Sequence, residues 1–174
     1  MTIEALADPV SGGDFSSLCA LLRECVRGGA SIGFILPLED AEVAAYWNGI
    51  AGDAAAGNRL VLVARTGPGG PILGSAQVAF VSKANGRHRA EIQKVMVLPA
   101  QRRKGIAAAL MAEAESASRR RGVRLLYLDT SEGSGGAKDF YEALGYTYAG
   151  GIPDYALDPD GTPVKNAIYF KALR

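Results

Sequence analysis

The chain has 174 residues, close to half of them apolar and about a fifth charged, with a formal net charge of +1. Such a length suits one domain over residues 1–174, and such a composition suits a soluble protein with a sizeable core. Near-neutral charge excludes bulk attraction to nucleic acid, so any anion binding has to come from a local cluster.

In chain order, MTIEALADPVSGGDF (residues 1–15) lacks the basic segment and long apolar run of a secretory signal. No later stretch is apolar for long enough to span a membrane. Leu18, Leu21, Leu22 and Val26 keep the spacing of one helical face, which predicts a helix over Ser17–Val26 stopped by Gly28-Gly29. Cys19 and Cys25 fall on that helix. They are too few for a disulfide framework and read as buried apolar thiols, which suits a reducing, cytoplasmic setting. A second helix is predicted over Asp40–Ala56, with Val43, Trp47 and Ile50 on one stripe. The apolar, β-branched run Arg59–Ala64 predicts a buried strand, and GPGG at Gly67–Gly70 is turn chemistry before a strand over Ile72–Val81. Asn85-Gly86 marks another turn, and a strand follows over Arg89–Leu98. A helix over Gly105–Arg121, a short strand over Leu125–Leu128, a helix over Gly136–Leu144 and a strand over Ala167–Lys171 complete the pattern. Helices, then hairpins, then a strand–helix–strand unit indicate a mixed α/β domain.

The stretch KVMVLPAQRRKGIAAAL (Lys94–Leu110) joins a buried strand to an amphipathic helix through a cationic turn. A helix start leaves about four amide donors unpaired and carries partial positive charge, and a phosphate satisfies both. Gly105 has no Cβ, so the backbone there can approach a ligand closely, and Arg102, Arg103 and Lys104 add charge. A pyrophosphate cradle and a plain solvated basic turn both fit. No Gly-Lys-Ser/Thr follows, so it is not a Walker loop, and a single glycine is too few for a dinucleotide fingerprint.

The run Gln101-Arg102-Arg103-Lys104-Gly105-Ile106-Ala107 between strand and helix resembles the signature Gln/Arg-x-x-Gly-x-Gly/Ala of the GCN5-related N-acetyltransferase (GNAT) superfamily. Phe140-Tyr141-Glu142-Ala143-Leu144-Gly145-Tyr146 resembles the second motif of that family. The segments GGASIGF (Gly28–Phe34), RAEIQKVMVLP (Arg89–Pro99), LYLDT (Leu126–Thr130) and AIYFKAL (Ala167–Leu173) are similar to its tabtoxin-resistance members, which acetylate an amino group on a β-lactam-containing amino-acid toxin.

The resemblance implies the GNAT fold: a mixed, mostly antiparallel twisted sheet with a splayed pair of strands, flanked by helices. It also implies acetyl-CoA as acetyl donor. Pantetheine would pair with Val95, Met96 and Val97 as an added strand would. Pyrophosphate would lie on the amides of Arg102 to Ala107, with Gln101 beside them, and Ser134 takes the position where many members have asparagine. Ser31 and Phe34 are the expected acceptor-pocket residues, with Trp47 a further candidate whose first reading is core on its helix stripe. The implied acceptor is a small-molecule amine such as a toxin or antibiotic. A protein or polyamine amine, or a silent acetyl-CoA sensor, is the alternative. No nucleic-acid, membrane or metal partner is expected, and an oligomer is not indicated.

Three residues are candidates for the acid–base work. Glu91 lies four positions before Val95, the spacing several family members use for a general base. Strand alternation puts Glu91, Gln93 and Val95 on one face, and partial desolvation there would raise a carboxylate pKa. A pair with Arg89 or Lys94 is its structural reading. Asp129 ends a strand, where it can hold or relay a proton from the acceptor, or cap the following turn. Tyr141 matches the family's general acid. Phe140 and Leu144 at i,i+4 are expected to face the core, turning Tyr141 to the side. His88 is the single histidine and cannot build a metal site. Arg119-Arg120-Arg121 complements a helix C-terminus.

Overall fold

The computed structural model describes residues 1–6, 8–9, 12–132 and 136–173. Strand β1 (Thr2–Leu6) is followed by helices α1 (Gly12–Arg27) and α2 (Asp40–Ala55) and by strands β2 (Arg59–Arg65), β3 (Ile72–Phe80) and β4 (Arg89–Val97). Helix α3 (Ile106–Arg120), strand β5 (Leu125–Ser131) and helix α4 (Ala137–Ala143) come next, and then strands β6 (Thr147–Gly150), β7 (Ala156–Leu157), β8 (Pro163–Val164) and β9 (Asn166–Ala172). Seven strands form one sheet in the order β1-β2-β3-β4-β5-β9-β6, while β7 and β8 make a small separate hairpin. Every pairing in the large sheet is antiparallel except β4 with β5. No described helix is long and apolar enough to cross a membrane.

The period of two along a strand explains why the sheet is covered on both sides. In β2, Leu62 and Ala64 face one core with Ile106, Leu110 and Met111 of α3. Val61 and Val63 face the other, with Leu18 and Leu22 of α1 and Val43, Trp47 and Ile50 of α2. Both cysteines are free and buried, as the sequence predicts. The helix-end arginines are engaged: Arg119 and Arg120 reach Glu115 and Glu113 on their own helix, and Arg121 donates to the distant Gly57 carbonyl.

One irregularity positions the site. Gln77 pairs with Gln93 and Ser75 with Met96, so Ala76 stands opposite two residues, Lys94 and Val95. This is a β-bulge, with Lys94 at φ +50°. The bulge reverses the alternation beyond it. Ala90 and Ile92 belong to the α3 core, Val95 and Val97 pack against that same core, and Met96 falls in the other. Glu91 and Val95 therefore lie on opposite faces, which corrects the expectation that Glu91, Gln93 and Val95 share one. The parallel pairing of β4 with β5 covers only Arg89–Glu91, after which the two strands separate. β5 stays paired to β9 through Ser131.

Four short elements were not legible as strands. β1 is a five-residue segment without clean alternation, β6 is mostly exposed, and β7 and β8 have two residues each. α1 begins at Gly12, ahead of the apolar stripe that marks it. Trp47, a candidate acceptor-pocket residue, is instead fully buried in the core between α2 and the sheet. Phe34 is also buried, its ring edge-on to Tyr46 at 5.4 Å.

Trp47 Nε1 has no hydrogen-bond partner among the described residues, so Trp47→Phe is expected to cost packing alone. Urea unfolding should show a loss of about 1–3 kcal/mol, while the Michaelis constant for the acceptor stays at its wild-type value.

Candidate active site

Where β4 and β5 part, two cavities open and meet. The larger, about 670 Å³, runs along Val95–Val97 to the start of α3 and is closed on its other sides by Gly28–Ile32 and by Phe140 and Tyr141 of α4. The smaller, about 300 Å³, is lined by Glu91, Lys94, Asp129 and Asn166, among others. Both volumes fall in the range of small-molecule sites. Ser31, Ile32, Val95, Thr130 and Tyr141 line both, so these five residues mark the junction.

The larger cavity fits the cofactor by its donor set. The edge of β4 beyond Glu91 has no partner in β5, so its backbone groups can pair with an extended ligand. Gly105 caps α3 at φ +77° and Arg103 precedes it at φ +64°. The helix begins its hydrogen bonding with Ala109 N–H to the Gly105 carbonyl at 3.0 Å. This leaves the amides of Ile106, Ala107 and Ala108 without partners inside the helix. A Cβ built at Gly105 would meet no atom within 4 Å, so the space beside the helix start is open at that residue. Gln101, Arg102, Arg103, Gly105, Ile106 and Ala107 all line this groove. Lys104 does not: its ammonium donates to Gln101 Oε1 at 2.9 Å. Ser134 lies outside the described residues. Cys25 was missed as a groove residue; it lines the wall beside Val97, with its thiol directed at the Val97 carbonyl at 3.5 Å.

In the smaller cavity Glu91 is half-buried and is the last residue of β4 to pair with β5, opposite Tyr127. Asp129 sits two residues further along β5 and is exposed toward the opening. Ser31 is the expected acceptor-pocket residue that does line this cavity. Residues assigned no site role from the sequence complete it: Lys94 from the bulge, Tyr155 and Ala156 from the β7 side, Val164 of β8, and Lys165 and Asn166 leading into β9.

Tyr141 is the buried residue of α4, at 9% exposure, while Phe140 and Leu144 are only partly buried. The expected arrangement is thus reversed. Tyr141 packs against Tyr146 and Tyr169 with ring centroids 6.0 and 5.6 Å apart. Burial pushes its hydroxyl pKa up to about 12, helped by the negative charge of Asp129 and by Tyr169. Burial likewise lowers the Lys94 ammonium from the usual lysine value, and the positive Arg59 lowers it further. Asp129 and Glu91 act in the opposite direction.

A side-chain network supports the bulge from the α2 face. Arg59 donates to Gln93 Oε1 at 2.6 Å and to Gln77 Oε1 at 2.9 Å. The Tyr46 hydroxyl donates to Gln77 Oε1 at 3.1 Å and accepts from Gln77 Nε2 at 2.9 Å. Asp53 lies 3.5 Å from Arg59 Nε. Gln93 and Gln77 had no reading as functional residues, because a glutamine in an apolar strand carries no motif. Its one signal is a polar side chain where a β-strand should be buried.

The fold is shared with solved acetyltransferases. A ribosomal-protein-alanine N-acetyltransferase from Brucella melitensis superposes with a TM-score of 0.82 at 21% identity, over 99% of this chain and 100% of that one. A GCN5-related N-acetyltransferase from Kribbella flavida gives 0.77 at 22% identity, over 99% and 97%. A GNAT-superfamily phosphinothricin acetyltransferase from Sinorhizobium meliloti, in complex with acetyl-CoA, gives 0.78 at 22% identity, over 99% and 88%. The family model described as the acetyltransferase (GNAT) family matches residues 18–146, a span that holds the splayed strands, the α3 cradle and Tyr141. With that match, the chain belongs to the GNAT family of acetyl-CoA-dependent N-acetyltransferases.

Proposed function

We propose that the chain, acting as one domain over residues 1–174 in the cytoplasm, acetylates the amine of a small molecule by direct attack on the thioester, a toxin or antibiotic amine being the favoured acceptor. The observation that carries this reading is the junction of the two cavities at Val95, Thr130 and Tyr141. An amine in the 300 Å³ cavity reaches the end of the groove there, and a cavity of that size admits a small molecule. The two free thiols suit the reducing compartment. The phosphinothricin acetyltransferase above, named for a small-molecule acceptor, supports the same class.

Acetyl-CoA supplies an activated acyl group, so the protein has to align, deprotonate and stabilise. Val95, Met96 and Val97 align the donor through backbone pairing. The amides of Arg102 to Ala107 and the guanidinium groups of Arg102 and Arg103 hold its pyrophosphate. Glu91, at the apex of the split, takes the proton from the amine, and Asp129 holds the amine from the other strand. Both carboxylates are acceptors able to shed that proton to solvent through the open cavity.

Tyr141 assists the departing sulfur. A phenol at about 12 is a weaker acid than the sequence suggests, and full transfer to a thiolate whose thiol lies near ~8.5 is uphill. The hydroxyl therefore stays protonated throughout the working pH range. It donates a hydrogen bond to the sulfur as charge grows there, and such stabilisation is strongest in a dry site.

Each part has its own test. Gly105→Asp places a negative charge at the cradle and should weaken acetyl-CoA binding by about tenfold or more. Gly105→Asn tolerates the same left-handed backbone without the charge and should bind far better; calorimetry that finds the two equal would remove the cradle. Glu91→Gln should lower turnover by about 100- to 10,000-fold with the cofactor affinity kept. The deficit should narrow as rising pH deprotonates the amine, and wild-type turnover at neutral pH would pass the role to Asp129 or water. Tyr141→Phe should slow single-turnover transfer less for a donor with a more acidic thiol. Wild-type enzyme should show no alkaline loss from this tyrosine below about pH 11. Equal slowing with both donors would leave Tyr141 a packing residue.

A further inference from the structure

The acceptor cavity holds charges of both signs that do not pair with each other. Glu91, Asp129 and Lys94 line the same 300 Å³ space. Among the described residues, no ion pair joins Lys94 to either carboxylate. The other lysine at the cavity, Lys165, is already committed to Glu132 at 3.0 Å. Arg59, behind the wall, is committed to Gln77 and Gln93.

Lys94 is held where it is at a cost. It is one of three non-glycine residues at positive φ, a conformation that disfavours an L side chain by about 1–2 kcal/mol. Bulges serve to re-aim a side chain, and this one aims a lysine into the cavity. Its ammonium lies 5.8 Å from the centre of the Tyr46 ring. A Cβ at Gly33 would come within 3.5 Å of it, so the chain at residue 33 leaves room beside that charge. A partly desolvated ammonium with carboxylates nearby yet unpaired is poorly compensated. An anion entering the cavity would compensate it.

We propose that Lys94 determines acceptor specificity by binding an anionic group, a carboxylate, on the same molecule whose amine is held by Glu91 and Asp129. This rests on the small-amine reading above and goes further, to the charge pattern of the acceptor: cationic at the reacting end, anionic at the other. Such a molecule offers a partner of opposite charge to each of the three side chains at once. A polyamine places a second cation beside Lys94 and is rejected. A cavity of about 300 Å³ admits an amino-acid-sized acceptor.

The test compares a panel of amino acids with their own carboxamides, and with spermidine, following CoA release. For accepted compounds, kcat/KM should favour the acid over its amide by about ten- to hundredfold, the worth of one charge-assisted hydrogen bond. The difference should lie in KM. Lys94→Met should collapse the acid-to-amide ratio toward one, and Lys94→Arg should restore part of it; circular dichroism confirms that both variants fold. Equal use of acid and amide by the wild type, or an unchanged ratio in Lys94→Met, overturns the role of Lys94 while leaving the small-amine reading intact. If no compound turns over, the small-amine reading fails. Calorimetric titration of the same acids and amides then decides on Lys94: a carboxylate preference that Lys94→Met abolishes sustains it, and no preference overturns it.

Discussion

The bulge opposite Ala76 is the constraint on which the site depends. Without it, β4 would continue beside β5 and each strand would satisfy the other's backbone. With it, the parallel ladder ends at Glu91, and the freed edge of β4 becomes a template for an extended ligand. The gap this leaves is also what joins the cofactor groove to the acceptor cavity. The same extra residue reverses side-chain parity. It sends Glu91 and Gln93 to the α2 face and Val95 and Val97 to the α3 face. One backbone irregularity thus separates the residue proposed to accept a proton from the residues proposed to align the donor, although they are neighbours in sequence.

A bulge with a lysine in the left-handed region needs external support, and the Arg59 network supplies it. Arg59 reaches across β3 to Gln93, immediately before Lys94, while Gln77 fixes the strand opposite and Tyr46 ties both to α2. Gln77 is fully buried, and buried polar groups are stable where their hydrogen bonds are made. Burial first of all pushes the Tyr46 hydroxyl pKa up to about 12, so this partner remains a donor at any pH the protein meets. The positive charge of Arg59 also bears on Lys94, which links the support of the bulge to the electrostatics of the cavity it shapes.

The cofactor half of the site was legible because it is local. A strand, a cationic turn, a glycine and a helix follow one another within Lys94–Leu110, and the chemistry of a helix start depends on that order alone. The exception is instructive: Lys104 belongs to the same run, yet its side chain turns back to Gln101, since a contiguous cluster does not fix which way each long side chain points. Strand parity was misjudged for a similar reason. Alternation by two assumes an unbroken ladder, and Gln93-Lys94 carries no glycine to mark the break. Phe34 was placed by its membership of the acceptor-side segment Gly28–Phe34, but its large apolar area is better satisfied in the core, where Trp47 also lies as its helix stripe predicts.

The acceptor half is dispersed, and that is why it resisted reading. Its walls come from Ser31–Gly33, Glu91–Val95, Asp129–Ser131, Tyr155–Ala156 and Val164–Asn166, segments brought together only by the sheet order that inserts β9 between β5 and β6. The loop that continues from Ser31–Gly33 is tied to the β7–β8 hairpin, with Leu36 N–H donating to the Pro159 carbonyl at 2.8 Å. No short motif can encode such a surface, since each wall changes independently of the others. The division also has a functional logic. The donor is constant, so its cradle can be a compact signature on one helix start, while the acceptor cavity is assembled from loops and strand ends that vary without disturbing the bulge. Specificity in such an architecture resides in residues that the fold aims into the cavity without a family motif to mark them, and Lys94, at the bulge itself, is the one whose position the fold holds against its own backbone preference.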